Sequence, residues 1–236
     1  MNEKVTRLAI WTALGGQTLQ GFGIAWAIYL YNQQHPASFS LLCNFVSELG
    51  APHSSMMAKV FNRTLILSSP LTFPMLCALG VHIKTKLSHV ALVTGFCSML
   101  GVIGVGISPM DFLKPHLIAA MMFFWGWLLT VFLFTVAFWR KYSFKASPAL
   151  VLSGVLAMTA CGTFLAFLMR WVASLQRAGS FNPSGLNRPG FNLQTFHRPV
   201  IWDIAILEWS VVLSIALWNL AAFYYLLRRK KTAGRA

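Results

Sequence analysis

The chain has 236 residues, of which 57% are hydrophobic and 10% are charged. Because a soluble domain carries roughly 25% charged residues, this composition excludes an ordinary soluble domain and indicates an integral membrane protein. The 19 basic residues far outnumber the 5 acidic ones, but they stand in short clusters between long apolar runs rather than along one hydrophilic face, which argues against nucleic-acid binding.

Six apolar runs are long enough to cross a bilayer, which takes roughly 20 residues. They predict transmembrane helices over 8–31, 64–81, 89–107, 117–139, 148–169 and 204–227. The predicted fold is therefore an all-α bundle of six transmembrane helices that forms a single domain over 1–236. The predicted outer loops are 32–63, 108–116 and 170–203.

The distribution of Lys and Arg predicts the orientation of the chain. Twelve of these residues lie on the side of the two termini, and seven lie on the other side, spread over longer loops. Since short cytoplasmic loops are enriched in Lys and Arg, both termini are predicted to be cytoplasmic. A plasma or inner membrane is the expected location, or an endomembrane if the organism is eukaryotic.

Two glutamines interrupt the first apolar run. Gln17 and Gln20 stand three residues apart and so share one helical face, with Gly16 and Gly23 near it. Amides beside small residues are typical of a helix-packing seam with hydrogen bonds between helices. We therefore expect this face of the first helix to pack inside the bundle.

Most of the ionisable acids fall on the predicted outer side. Four carboxylates lie in outer loops or in the outer third of a span: Glu48, Asp111, Asp203 and Glu208. Four histidines accompany them: His35, His53, His116 and His197. Because ionisable groups in a membrane are costly and often functional, this side is the predicted location of any functional site.

The first outer loop contains apolar residues at helical spacing. They are Phe39, Leu42, Phe45, Val46 and Leu49. Gly50 and Pro52, which are typical of the end of a helix, follow them. The pattern predicts a short helix in or under the membrane interface, with Ser47 and Glu48 near its end.

The third loop is so short that it holds Asp111 and His116 at the membrane surface. Asp111 either contributes to a site or caps a turn and pairs with Lys114. His116 precedes Ala119 and Ala120, small residues that would open space beside the imidazole.

The last span carries a carboxylate inside its apolar run. Glu208 lies five residues beyond Asp203, about 7.5 Å deeper at the usual helical rise. An ionisable group at this position indicates a functional site, but an ion pair with a basic residue would explain it equally well. The candidate partners are Arg63, Arg170 and Arg198.

Several short motifs occur in order along the outer side. They are Ser47-Glu48-Leu49-Gly50, Val60-Phe61-Asn62, His116-x-x-Ala119 with Phe123-Phe124, and Glu208-Trp209. With these motifs the chain resembles the Frag, DRAM and Sfk group of six-helix membrane proteins and its mostly prokaryotic relatives of unknown function. The resemblance spans nearly the whole chain.

The resemblance implies a function connected with membrane lipid. Members of that group are implicated in GPI-anchor lipid remodelling, in autophagy regulation, and in phospholipid asymmetry or phosphoinositide kinase control. Eukaryotic members commonly have Ile-Ser-Asp in the first outer loop, whereas this chain has Val46-Ser47-Glu48, which is closer to the prokaryotic relatives.

The favoured functional hypothesis is an outward-facing polar pocket that binds or handles a lipid headgroup, or regulates a membrane-lipid process, without catalysis or a cofactor. Membrane lipids are the expected partners, and a membrane protein is a further candidate partner. The pocket residues are predicted to be Ser47, Glu48, Asn62, His116 and Glu208.

An intramembrane lipid hydrolase or acyl transferase is the alternative, with His116, Glu208 and Asp111 as general acids and bases. Such an enzyme could also hold zinc, and the candidate ligands are His53, His116, His197 and Asp203. A transporter is a third class, which the absence of visible internal repeats and of mid-span carboxylates disfavours.

Overall fold

The computed structural model describes residues 3–142, 144–177 and 200–233, and these segments fold into six long helices. The helices are α1 (Glu3–Gln34), α2 (Met56–Ile83), α3 (Lys86–Ile107), α4 (Leu113–Tyr142), α5 (Pro148–Arg177) and α6 (Asp203–Ala233). Each predicted apolar run lies inside one of these helices. The all-α architecture is therefore confirmed for the described residues.

Five of the helices, α2 to α6, are long and apolar enough to cross a membrane by length and composition. This supports an integral membrane protein. α1 has the length but is less apolar, because Gln17, Gln20 and four glycines fall between residues 15 and 23. A sixth crossing therefore stays a prediction.

The helices extend beyond the predicted runs, so the loops are shorter than predicted. α2 begins at Met56 because Ser55 caps it, accepting a hydrogen bond from the Ala58 N–H at 3.1 Å. Asn62, predicted to lie at the end of loop 32–63, is therefore a buried residue within α2. The predicted loops 108–116 and 170–203 are likewise shortened by α4 and α5, and residues 178–199 lie outside the described part of the chain.

The predicted interfacial helix in the first outer loop is largely wrong. Only a short 3₁₀ turn, Val46–Gly50, is helical, and we call it the 46–50 turn. Polar side chains before it bond to local backbone: Asn44 Oδ1 accepts from the Ser40 N–H at 3.0 Å. Such local bonds compete with the hydrogen bonds of an α-helix, which explains why apolar spacing alone misled the prediction.

The bundle has two distinct ends. The polar end contains the 46–50 turn and the start of α6, and there the Trp202 N–H donates to the Leu42 carbonyl at 2.8 Å. The basic end joins α2, α4 and α6, where the Tyr142 hydroxyl donates to the His82 carbonyl at 3.0 Å and the His82 ring lies 3.1 Å from the Tyr225 hydroxyl.

Small residues allow close helix packing along the bundle. In α1, a Cβ added at Gly16 would lie 2.7 Å from the Leu71 Cβ of α2. The next residue, Gln17, reaches a different helix, because its Oε1 accepts a hydrogen bond from the Asn219 amide of α6 at 2.7 Å. The predicted packing seam of the first helix, with a hydrogen bond between helices, is therefore confirmed.

α3 and α4 approach each other most closely at Gly101. A Cβ added at Gly101 would lie 2.5 Å from the Phe123 backbone nitrogen and 2.8 Å from its Cα. Backbone atoms in the middle of a helix cannot move without moving the whole helix. Gly101 therefore fixes the spacing of the two helices.

We expect Gly101→Ala to lower the free energy of unfolding by about 1–3 kcal/mol, because the added methyl group forces α3 and α4 apart. Gly162→Ala is the matched control, since a Cβ there meets nothing within 4 Å and alanine is the better helix former. The measurement is the midpoint of thermal unfolding in detergent. Equal midpoints for the two variants would contradict the assigned packing.

Candidate functional site

The start of α6 holds the 46–50 turn in place. The Val46 N–H donates to Glu208 Oε2 at 2.7 Å, and the Trp209 indole N–H donates to the Asn44 carbonyl at 2.9 Å. The backbone and hydroxyl of Ser47 also interact with the Glu208 carboxylate. Two adjacent residues of α6 thus bind the backbone immediately before and at the start of the turn.

Glu48 shapes the turn from inside. Its Oε1 accepts from the Phe45 N–H at 3.0 Å, and its Oε2 accepts from the Asn44 side-chain amide at 3.1 Å. The residue is buried. Because its two oxygens accept hydrogen bonds from the residues just before it, Glu48 stabilises the conformation of the turn.

Asn62 holds the other end of the turn. Its Nδ2 donates to the Gly50 carbonyl at 3.1 Å. The contact is close, because a Cβ at Gly50 would lie 2.6 Å from Asn62 Oδ1. α2 therefore fixes the point at which the turn ends.

His116 is fixed at the start of α4. Its Nδ1 lies 2.9 Å from the Ser108 carbonyl oxygen, and the side chain is buried. Because a carbonyl oxygen can only accept, Nδ1 carries the proton, and the neutral ring then presents Nε2 as an acceptor. This bond across the α3–α4 connection orients the imidazole.

A cavity of about 300 Å³ lies below the 46–50 turn, and Ser47, His116 and Glu208 form its polar roof. Its walls are mostly apolar side chains of α1, α2, α3, α4 and α6. They include Ile24, Phe61, Leu65, Val102, Ala120, Phe123, Phe124, Trp127, Val212 and Ala216. Ala120 lines the cavity beside the roof, as expected from its position after His116.

The cavity extends to a second polar level within the bundle. Gln17 and Asn219, which are bonded to each other, line its deeper part. Asn219 follows Glu208 by eleven residues, close to three helical turns, so both side chains lie on one face of α6 roughly 16 Å apart along its axis. The cavity therefore has polar groups at two depths with apolar walls between them.

The five predicted pocket residues fall into two groups. Ser47, His116 and Glu208 line the cavity, whereas Glu48 and Asn62 are not among its lining residues and instead hold the 46–50 turn. The prediction also omitted Gln17, Asn219, Ser69, Thr72, Ser98 and Trp209, which line the cavity. Amides inside apolar runs were the available signal for the first two.

Glu208 has no basic partner in the part of the chain that the structure describes. The ion pairs found there are Arg7 with Glu3 at 3.0 Å and His53 with Asp111 at 2.9 Å. The alternative explanation, an ion pair with Arg63 or Arg170, is therefore wrong. Arg198 lies outside the described residues.

Asp111 is bonded at the surface of the polar end. Its Oδ2 accepts from the His53 N–H at 2.6 Å and lies 2.9 Å from His53 Nδ1. The pairing of Asp111 with Lys114, one of the two alternatives considered for it, is therefore wrong. The contact links the first outer loop to the α3–α4 connection, and Asp111 is not among the residues that line the cavity.

The proposed zinc ligands do not come together within residues 3–142, 144–177 and 200–233. No group of three His, Cys, Asp or Glu side chains there could hold a metal ion. His53 is bonded to Asp111, His116 lines the cavity, and Asp203 is the exposed first residue of α6. His197 lies outside the described residues, so the zinc hypothesis stays a prediction without a ligand cluster to support it.

Five helices suited to crossing a membrane place the chain in the class of polytopic helical membrane proteins. Four of these helices, together with α1, line the cavity. The chain belongs to the DUF998 family of proteins of unknown function, whose family model matches residues 19–183. No curated protein and no solved structure matches the chain.

The family match covers the site residues that precede α6 in the chain. It includes Ser47, Glu48, Asn62 and His116 but ends before α6, which provides Glu208. Membership in a family of unknown function, part of the resemblance seen in the sequence, is confirmed. The narrower relation to the Frag, DRAM and Sfk group stays a prediction.

We expect Glu208→Ala to release the 46–50 turn, because the buried Val46 N–H loses its acceptor, and a buried polar group left without a partner costs about 1–3 kcal/mol. Glu208→Gln is the matched control, since its amide oxygen can still accept that bond. Hydrogen–deuterium exchange of peptides covering residues 44–50 should be about 10-fold faster or more in the alanine variant. Similar exchange in both variants would show that Glu208 does not hold the turn.

Proposed function

We propose that the cavity binds the headgroup end of a membrane lipid or similar amphiphile, and that the protein handles or senses this molecule without catalysis. The observation that supports this most directly is the cavity itself, in which the polar roof of Ser47, His116 and Glu208 stands above apolar walls. A ligand with a polar end and an apolar end matches that distribution of polarity.

The size and position of the cavity support the same proposal. A volume of about 300 Å³ is at the lower end of the range for ligand pockets. It is suited to a headgroup with part of one chain rather than to a whole two-chain lipid. The surrounding helices are suited to crossing a membrane, so amphiphiles would be present at high local concentration.

A binding function accounts for the polar groups better than a hydrolase does. A general acid or base has to reach the reacting group, and of the three residues considered for that role only His116 and Glu208 line the cavity. Asp111 is bonded to His53 instead. A lipid-handling role also agrees with the resemblance to the Frag, DRAM and Sfk group.

The lipid-binding proposal is tested by filling the cavity without changing its charge. Ala216 lines the cavity, whereas Leu217 is exposed on the same helix and does not. We expect Ala216→Phe and His116→Ala to lose co-purified lipid that the wild type and the matched Leu217→Phe variant retain, measured by native mass spectrometry in a mild detergent. The same lipid content in all four proteins would contradict the proposal.

We also propose that α1 crosses the membrane and that both termini are cytoplasmic. α1 has 32 residues, about 48 Å of helix, which exceeds the roughly 30 Å of hydrocarbon to be crossed. It packs along α2 through Gly16 and reaches α6 through Gln17. The twelve basic residues on the side of the termini favour the cytoplasm for that side.

The topology is tested by single cysteines in a background without the native ones. Val5 lies at the start of α1, Ser54 in the first outer loop and Phe144 in the α4–α5 connection, and all three are exposed. We expect a membrane-impermeant maleimide to label Ser54→Cys in intact cells, and to label Val5→Cys and Phe144→Cys only after the cells are opened. The reverse pattern would mean the opposite orientation, and labelling of both Val5→Cys and Ser54→Cys in intact cells would mean that α1 does not cross.

A further inference from the structure

The cavity has a buried acidic side chain without a basic partner. Glu208 lines it and is only 5% exposed, and no Lys or Arg of the described residues lines it. The Val46 N–H and Ser47 form hydrogen bonds with its carboxyl group. Buried carboxylates normally have a cationic partner as well, and here a ligand could provide it.

A second acidic side chain lies close to the roof. Glu48 lies in the 46–50 turn, near enough to Glu208 for the two groups to interact electrostatically. Both carboxyl groups accept hydrogen bonds from fixed backbone or amide donors. Acidic groups therefore gather at this end of the cavity although the whole chain has a net charge of +14.

Aromatic rings form much of the wall near this carboxylate. Phe61, Phe123, Phe124 and Trp209 line the cavity together with Glu208. The face of an aromatic ring attracts an ammonium ion, most strongly where water is excluded. A wall of this kind adds selectivity for a positively charged headgroup over a neutral one.

The roof also provides hydrogen-bond acceptors. Because His116 Nδ1 donates to the Ser108 carbonyl, the neutral ring has an acceptor at Nε2, and Glu208 is an acceptor in the same roof. A primary ammonium group has three N–H donors to offer. A headgroup that carries a phosphate and no cation would find no Arg or Lys among the described lining residues to bind it.

We propose that the cavity selects an amphiphile with a primary ammonium group, which lies against Glu208 beneath the 46–50 turn while its apolar chain occupies the space between the helices. The inference rests on the proposed lipid-binding function and specifies the charge of the ligand. The ammonium group could belong to phosphatidylethanolamine or to a long-chain amine, since both end in the same primary ammonium group.

The test compares three probes of equal chain length, added to the purified protein in dodecyl maltoside. Dodecylamine is cationic, dodecanol is neutral and dodecyl phosphate is anionic. We expect the wild type to bind dodecylamine most tightly, and Glu208→Gln to weaken that affinity by about 30-fold or more while its affinity for dodecanol changes much less. The substitution keeps the shape of the side chain and the acceptor for Val46, but it removes the group that can carry a negative charge.

Two further measurements separate the possible failures. Ala216→Phe should reduce binding of all three probes, and Leu217→Phe should reduce none. If Ala216→Phe has no effect, the cavity is not the binding site and the proposed function fails. If it blocks binding but the wild type prefers dodecyl phosphate, or Glu208→Gln binds dodecylamine as tightly as the wild type, the cavity binds a ligand but the inferred charge is wrong.

The source of the ammonium group is identified by measuring which lipid the protein retains from nanodiscs that contain either phosphatidylethanolamine or phosphatidylglycerol. Retention of phosphatidylethanolamine by the wild type, reduced in Glu208→Gln, would identify the lipid headgroup as the ligand. Binding of dodecylamine without retention of phosphatidylethanolamine would identify a single-chain amine. Preferential retention of phosphatidylglycerol through the cavity would overturn the inference.

Discussion

The hydrogen bond from the Val46 N–H to Glu208 joins parts of the chain that are 162 residues apart. It brings the segment between α1 and α2 onto α6 and so closes the polar end of the bundle above the cavity. Charge-assisted hydrogen bonds of this kind are stronger than neutral ones. Without it, Ser47 would not be held in the roof, and the cavity would open toward the polar end.

The other polar residues of this region support that contact. Glu48 satisfies the Phe45 N–H within the turn, Asn62 anchors the turn to α2 through the Gly50 carbonyl, and Trp209 binds the Asn44 carbonyl. An irregular backbone segment buried among helices has polar groups that cost several kcal/mol if they are left without partners. The cluster of polar side chains at this end provides those partners, which explains why several residues that look functional in the sequence are structural.

Charge is distributed very unevenly over the molecule. The chain is strongly basic, yet the cavity is lined by Glu208 and by no Lys or Arg of the described residues. Basic residues at the ends of helices are explained by topology, and a carboxylate between helices is not. The contrast supports a cationic ligand, and the arrangement of aromatic rings in the walls supports the same conclusion.

The sequence by itself determined the helical membrane architecture, because runs of about 20 apolar residues have few other stable structures. It also identified Ser47, His116 and Glu208 as candidates, because charged and polar groups near a membrane are rare. It could not separate these residues from Glu48 and Asn62, since all five are polar residues on the predicted outer side of the bundle.

Only the tertiary structure decided which polar side chains face the cavity and which face the backbone. That difference depends on the path of the 46–50 turn, and local hydrogen bonds and the distant Glu208 set this path rather than apolar spacing. The pairing of Asp111 with His53 instead of Lys114 has the same origin. Contacts between residues far apart in the chain leave no periodic pattern in the sequence, so they appear only once the helices have packed.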